Sequence, residues 1–322
     1  MGLVSQPAPY GRPAPGRQAT SHSGSTTPPP AAGRGTPSPA ARLLPGRRLR
    51  TAVILRHTLA WLVGLLWIVP FLGILMSALR PQAELIHGWW QLGQVTISAE
   101  NFVRAWNHPT APMGEGIRNS LLVVVPSTVL PLLIASLAAY GFLRSRARVR
   151  TPLFALIILL LAVPQQMVAI PLFRILRDLG FINSYAGLVV THTAWALPWM
   201  IMFLRNYFAT LPREVEEAAL LDGAGRLQIF WHVILPLSLP GLASAAALQL
   251  TWAWNDFFMA LILLYEPTRL VATQRIPLLR GQYHVDWGIL TAASVLTIAV
   301  PILVFALLQR YYVRGLIGWT LK

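Results

Sequence analysis

The chain has 322 residues, 55% hydrophobic and 11% charged, with a mean hydropathy of +0.56; soluble domains carry roughly 25% charged residues, so this is the composition of a membrane protein. A formal net charge of +15 would suit a nucleic-acid binder only on a polar fold able to spread it, and this sequence lacks that polar surface. Cysteine is absent, which excludes disulfide scaffolds, thiol nucleophiles and cysteine-ligated metals; the only lysine is Lys322, so neither a G-x-x-x-x-G-K-S/T phosphate loop nor a buried catalytic lysine is present.

Residues 1–50 are rich in Pro, Ala, Gly and Ser and carry seven arginines and no acid. Such a segment cannot bury enough apolar surface to fold, which predicts a disordered tail. No apolar core of a secretory signal precedes residue 50, and Gln6 stands where a myristoylation motif wants Ser or Thr. From residue 51 to 322 the composition is that of a transmembrane domain.

Six apolar segments follow, at about 58–79, 120–143, 152–173, 186–204, 240–264 and 288–309, each near the roughly 20 residues that cross a hydrocarbon core. The expected fold is therefore all-α, with about six membrane helices. Pro70, Pro126, Pro131, Pro164, Pro198 and Pro301 fall inside these segments, and neighbouring helices can satisfy the carbonyls they free. The third segment is the most interrupted, by Pro164, Gln165 and Gln166.

Six spans put both termini on one side. With the N-terminus inside, the inner segments hold 18 basic residues against four acids and the outer loops eight against six, so the positive-inside rule makes both termini cytoplasmic. The short loop at 144–151, with Arg144, Arg146, Arg148 and Arg150, is the cleanest single indicator. The outer loop at 80–119 contains the run GWW with Phe102 and Trp106, which an interfacial aromatic belt explains.

The inner stretch 205–239 is the unusual one. Pro212 suits a helix start, Glu214, Glu216 and Glu217 lie near the positive end of the helix dipole, and Gly223 and Gly225 offer a stop. This predicts a helix over 212–222. A second helix follows, with Leu227, Phe230, Trp231 and Ile234 in an apolar stripe until Leu235-Pro236 ends it. Three turns of helix are marginal alone in water. Ala218 and Ala219 allow close approach of a partner and the acids supply edge contacts, as in a helix laid in a groove. The plainer alternative, a helix resting on the membrane surface, is disfavoured by its acidic charge.

The run Glu217-Ala218-Ala219, with Gly223, Val233 and Leu235-Pro236 at their spacings, resembles the EAA loop of bacterial ABC importer permeases. PREVEEAALLDGAG, ILPLSLPG, WAWNDFF and RGLIGWTLK extend the likeness over about residues 55–322, and are most similar to the carbohydrate-uptake permeases of the MalG type. The tail departs from that family. The resemblance implies a subunit that pairs with a second, related permease, sits on an ATPase dimer that binds ATP and Mg, and receives substrate from an extracytoplasmic binding protein. It also implies that the helix of Glu214, Glu217, Ala218, Ala219 and Gly223, followed by Leu235 and Pro236, docks in the ATPase and couples it to the membrane.

Candidate residues for a substrate path are Gln165, Gln166, Trp252, Trp254, Asn255 and Asp256. Aromatic faces suit the C–H surfaces of a pyranose and Asn or Asp suits its hydroxyls, while an ionisable group inside a span usually faces a cavity or another helix. Interhelical hydrogen bonds explain the same residues equally simply. His192, alone in an apolar span, reads as a packed or hydrogen-bonded residue. With no enzyme motif and no close carboxylate pair in a span, no catalytic site or metal site is expected. The rival function is an ion-coupled secondary carrier in which Asp256 takes up a proton or cation.

Overall fold

The computed structural model describes residues 45–91, 93, 95–144, 148–281 and 284–317, and all regular structure among them is helical. The chain divides into two compact units, Met1–Ala60 and Trp61–Lys322. In the first, the described residues are the opening of helix α1 (Pro45–Ala78), which begins ahead of the boundary expected at residue 50. Of the tail expected over 1–50, residues 1–44 lie outside the described residues.

In the second unit, α1 leaves Trp61, Leu62, Leu65, Leu66 and Trp67 exposed, and its packing begins at Gly73. A Cβ there would meet the Trp89 ring at 2.8 Å, so only glycine admits that indole. Short helices α2 (Gln82–Leu85) and α3 (Glu100–Trp106) lead to α4 (Met113–Arg144), whose 32 residues extend about 48 Å. Four helices are long and apolar enough to cross a membrane: α1 from Val53, α4, α7 (Tyr185–Phe208) and α14 (Trp287–Ile317) through Leu307.

The expected third span, 152–173, is not one continuous helix. It is α5 (Arg150–Leu160) and α6 (Gln165–Asp178), bent by 103°. Pro164 sits in extended conformation just before α6: a proline lacks the N–H to continue α5 and is well placed at a new helix start. The fifth span is also shorter than expected. Helix α11 (Leu239–Asn255) stops at Asn255, and α12 (Phe258–Leu263) follows after a break at Asp256. Counting two bent pairs as single spans, α5 with α6 and Arg226–Leu237 with α11 at 76°, gives six.

Between α7 and α11 lie α8 (Arg213–Leu221), α9 (Arg226–Ile229), a π-helical turn at Phe230–Ile234 and α10 (Leu235–Leu237). The expected stripe is half right. Phe230 and Ile234 are buried but Leu227 and Trp231 are exposed, because widening to a π turn shifts the register that an i, i+3, i+4, i+7 pattern assumes. Nor does Pro236 end the segment; the chain turns at Ser238. At the far end α13 (Ala272–Leu278) packs on α4 and α14.

Helix α11 holds the bundle together by packing on α4, α7 and α14, and it repairs two prolines. Pro131 in α4 and Pro301 in α14 each free the carbonyl four residues earlier, at Ser127 and Thr297. Gln249 Nε2 donates to the Ser127 carbonyl at 3.1 Å, and Trp254 Nε1 donates to the Thr297 carbonyl at 3.0 Å. Both α11 side chains are buried. In a bilayer core, where water cannot serve, this is how an interior proline becomes tolerable.

Candidate functional site

The first site is the α8 segment. Pro212 precedes α8, Glu214 and Glu216 lie in its first turn, and Gly223 turns the chain at φ +82° after Asp222, a left-handed conformation that favours glycine. Seven of the nine residues are exposed, Arg213, Val215 and Leu220 among them. Glu214, Glu217, Ala218 and Leu221 are all exposed and, at i, i+3, i+4 and i+7, form one face. Leu221 is 89% exposed. This face presents acids at one end and an unpartnered apolar side chain at the other.

The opposite side carries Glu216, the one buried residue of α8, and the half-buried Ala219. Tyr140 Oη donates to Glu216 Oε1 at 3.1 Å, and the Arg144 guanidinium closes on Oε2. Beneath them lies an apolar cluster of Ala139, Tyr140, Leu204, Phe208, Phe230 and Leu242, against which Ala219 also packs. Leu235 is half-buried at the edge of that cluster and Pro236 is exposed. The adjacent Arg205 guanidinium stacks over Phe154 at 4.4 Å, tying α5 to the end of α7. Sequence reading noticed Glu216 only as a dipole partner and did not single out Leu221. Their distinct roles were readable in principle, since successive helix positions point about 100° apart.

The second site is the break after α11. Asp256 Oδ2 pairs with His192 Nε2 at 2.8 Å, Oδ1 accepts the Met259 backbone N–H at 3.2 Å, and the Asp256 carbonyl accepts from Thr273 Oγ1 at 3.1 Å. One residue thus ties α7, the start of α12 and α13. The expected cluster around it divides. Trp254 is engaged with α14, as described above, while Trp252 and Asn255 are exposed. Asn255 Nδ2 donates back to the Thr251 carbonyl at 2.8 Å.

A cavity of about 820 Å³ opens at the α5–α6 bend, lined by Trp195, Trp199 and Trp252 with Val163, Val168 and Leu248 among its aliphatic neighbours. Gln165, half-buried, and Gln166, exposed, begin α6 close by in sequence but do not line it. The cavity therefore offers indole faces and few hydrogen-bonding groups.

Breaks inside spans, with freed backbone met by buried side chains, are the construction of membrane transport proteins, and that class fits the bent α5–α6 pair and the 76° bend between Arg226–Leu237 and α11. The chain belongs to the family of binding-protein-dependent transport system inner membrane components, whose family model matches residues 131–318. It is 52% identical over 266 residues to a probable ABC transporter permease of Pyrococcus horikoshii, covering 83% of this chain and 96% of that one. It is 44% identical over 218 residues to an alpha-glucoside transport system permease of Rhizobium meliloti, covering 66% of this chain and 57% of that protein. Among solved structures, a bacterial ABC transporter involved in import of the polysaccharide alginate superposes with a TM-score of 0.72 at 24% identity, over 83% of this chain and 98% of the other, a likeness of fold. The chain is accordingly an inner-membrane, multi-pass permease subunit of an ABC importer, working in a complex with a binding protein and an ATPase and not itself catalytic.

Proposed function

We propose that this subunit translocates a sugar, oligosaccharide or related polyol, delivered by an extracytoplasmic binding protein and driven by an ATPase dimer that docks on α8. The observation that carries the docking reading is the outward face of Glu214, Glu217, Ala218 and Leu221, an amphipathic strip on a helix too short to stand unaided. Gly223 ends that helix, and Leu235 and Pro236 carry the chain from it back to α11. ATP and Mg²⁺ belong to the ATPase, since this sequence lacks a phosphate loop. A second homologous permease completes the path, lipid surrounds the exposed apolar helix faces, both termini lie in the cytoplasm, and nucleic acid has no part.

The carbohydrate reading rests on the alpha-glucoside permease at 44% identity and on the three indoles around the cavity at the α5–α6 bend. In the path, Trp252 and Asn255 are the exposed groups of the WAWND run, with Gln165 and Gln166 at the bend. Trp254 and Asp256 act one step back, by fixing α11 to α14 and to α7. The carboxylate of Asp256 already holds two partners, which argues against an ion-coupled carrier built on it.

The test is uptake into proteoliposomes holding both permeases and the ATPase, supplied with the cognate binding protein. Radiolabelled α-glucosides should accumulate only with ATP on the ATPase side. Uptake that follows an imposed proton or sodium gradient without ATP would overturn the energy source; ATP-driven uptake of amino acids or ions but no carbohydrate would overturn the substrate class.

A further inference from the structure

The contacts of Glu216 point to a use that the docking reading leaves open. That reading explains the outward face of α8. It does not explain why the single buried residue of the helix is an acid. An apolar residue would pack on the cluster of Tyr140, Phe208 and Phe230 at lower cost, because a charge taken from water must find partners. Both partners here lie on one helix. Tyr140 and Arg144 are one turn apart at the end of α4, on the face turned to α8.

Helix α4 is also the element that reaches the opposite end of the bundle. There Glu115 pairs with the buried Arg275 at 2.9 Å, and Asn119 donates to the carbonyls of Thr268 and Leu270 at 2.8 and 3.0 Å. A Cβ on Gly116 would strike Arg275 at 2.7 Å, so α4 and α13 are in close contact. One 32-residue helix thus joins the docking segment to the far loops at 267–275. Moreover, the charged joint is not fully satisfied. Arg144 Nε is buried without a hydrogen-bond partner among the described residues, the condition of a polar network that a second arrangement can improve.

We propose that Glu216 is a positioning residue for energy coupling: its ion pair with Arg144 and hydrogen bond from Tyr140 grip α4, so that displacement of α8 by the ATPase moves α4 and the far loops with it. The proposal rests on α8 being the docking helix. Outward residues bind the ATPase and Glu216 passes the movement on, so the two roles separate by experiment. A charged joint suits this task because it is directional and its strength depends on a few atoms.

The experiment uses the complete importer in proteoliposomes, with Glu216→Gln, Arg144→Met and Tyr140→Phe compared with Glu217→Arg and Leu221→Asp. Three quantities are read: co-purification of the ATPase, basal ATP turnover, and the stimulation of turnover by the cognate binding protein, charged with the solute it co-purifies with. Glu216→Gln keeps the size and an acceptor for Tyr140 while losing the charge. It should keep co-purification and basal turnover, while stimulation falls about fivefold or more, the lower end of measured couplings. Arg144→Lys should restore most of what Arg144→Met loses, and Tyr140→Phe should fall between. Normal stimulation in both Glu216→Gln and Arg144→Met overturns the proposal. So does loss of ATPase co-purification in Glu216→Gln, which would make the residue part of the docking surface or of the fold. Normal co-purification in Glu217→Arg and Leu221→Asp would instead overturn the docking reading, leaving a distinct pattern.

Discussion

Replacing Asp256 with Ala separates two accounts of that residue. If it is a path residue, uptake falls and the fold is untouched; if it is the tie between α7, α12 and α13, the fold weakens first. The loss can be worked from the contacts. The substitution removes the 2.8 Å pair with His192 and the 3.2 Å bond from the Met259 N–H, and leaves the Thr273 bond to the backbone carbonyl in place. An interhelical polar contact in membranes is worth about 0.6–1.7 kcal/mol, and a side-chain cap on a helix N-terminus about 0.5–2 kcal/mol. His192, which has no partner at Nδ1 among the described residues, would then be buried with neither ring nitrogen bonded there, which sets the cost toward the upper part of the sum, about 2–3 kcal/mol. For a chain of this size that is a drop in Tm on the order of 3–5 °C, readable by thermal unfolding in detergent with uptake measured on the same preparation. Asp256→Asn, which keeps an acceptor for the Met259 N–H and turns an amide donor toward His192 Nε2, should lose less than about half of that. A wild-type Tm in Asp256→Ala with reduced uptake would refute the tie and return the carboxylate to the path.

Three further outcomes follow from specific contacts. Trp254→Phe removes the donor to the carbonyl that Pro301 frees at Thr297, and should cost about 1–3 kcal/mol in the same assay; an unchanged Tm would mean another donor serves that carbonyl. Gly241→Leu places a Cβ 2.6 Å from the Tyr207 ring, where α11 crosses α7 beside the docking segment. Overpacking of this kind costs about 1–3 kcal/mol, and unchanged thermal stability would show that the contact relaxes freely. In the loop after α1, the Glu84 carboxyl is held below its ordinary value of 4.5 by the Thr96 hydroxyl and then by Arg80. A depressed folded value stabilises the loop fully above about pH 4.5, and that stability is lost as pH falls through the folded value. Protection against hydrogen exchange over 80–98, taken relative to the intrinsic rate at each pH, should therefore fall on acidification below about pH 4.5, and Glu84→Gln should remove that fall; equal protection profiles for both would contradict it.

The parts of this molecule governed by local chemistry were legible in the sequence. Apolar length located the spans, and the acids at 214–217, Pro212 and Gly223 marked a helix that the structure bounds at Arg213–Leu221. What escaped depends on contacts distant in sequence. The pairing of His192 with Asp256 joins residues 64 apart, so periodicity could not turn a lone histidine and a candidate path acid into one tie. Trp254 looked suited to a sugar because an indole stacks well. Only the register of α11 against Pro301 shows that its N–H is already committed. The bend at Pro164 was signalled, since proline and two glutamines interrupt the segment there, but its angle of 103° is a tertiary outcome. The two adjacent acids, Glu216 and Glu217, are the sharpest case: alike in sequence, they face opposite ways, one gripping α4 and one turned outward.

The central claim is that the outward face of α8 is where the ATPase grips this chain, and the absence of cysteine makes a direct measurement clean. Single substitutions Glu217→Cys, Leu221→Cys and Ala219→Cys, in a complex whose ATPase carries one introduced cysteine near its transmembrane-domain contact, are treated with a short bis-maleimide. The account predicts cross-linking from positions 217 and 221 and little from 219, which faces the apolar cluster. An assembled, active complex in which 217 and 221 fail to cross-link, while 219 or a position outside 205–239 does, would contradict it.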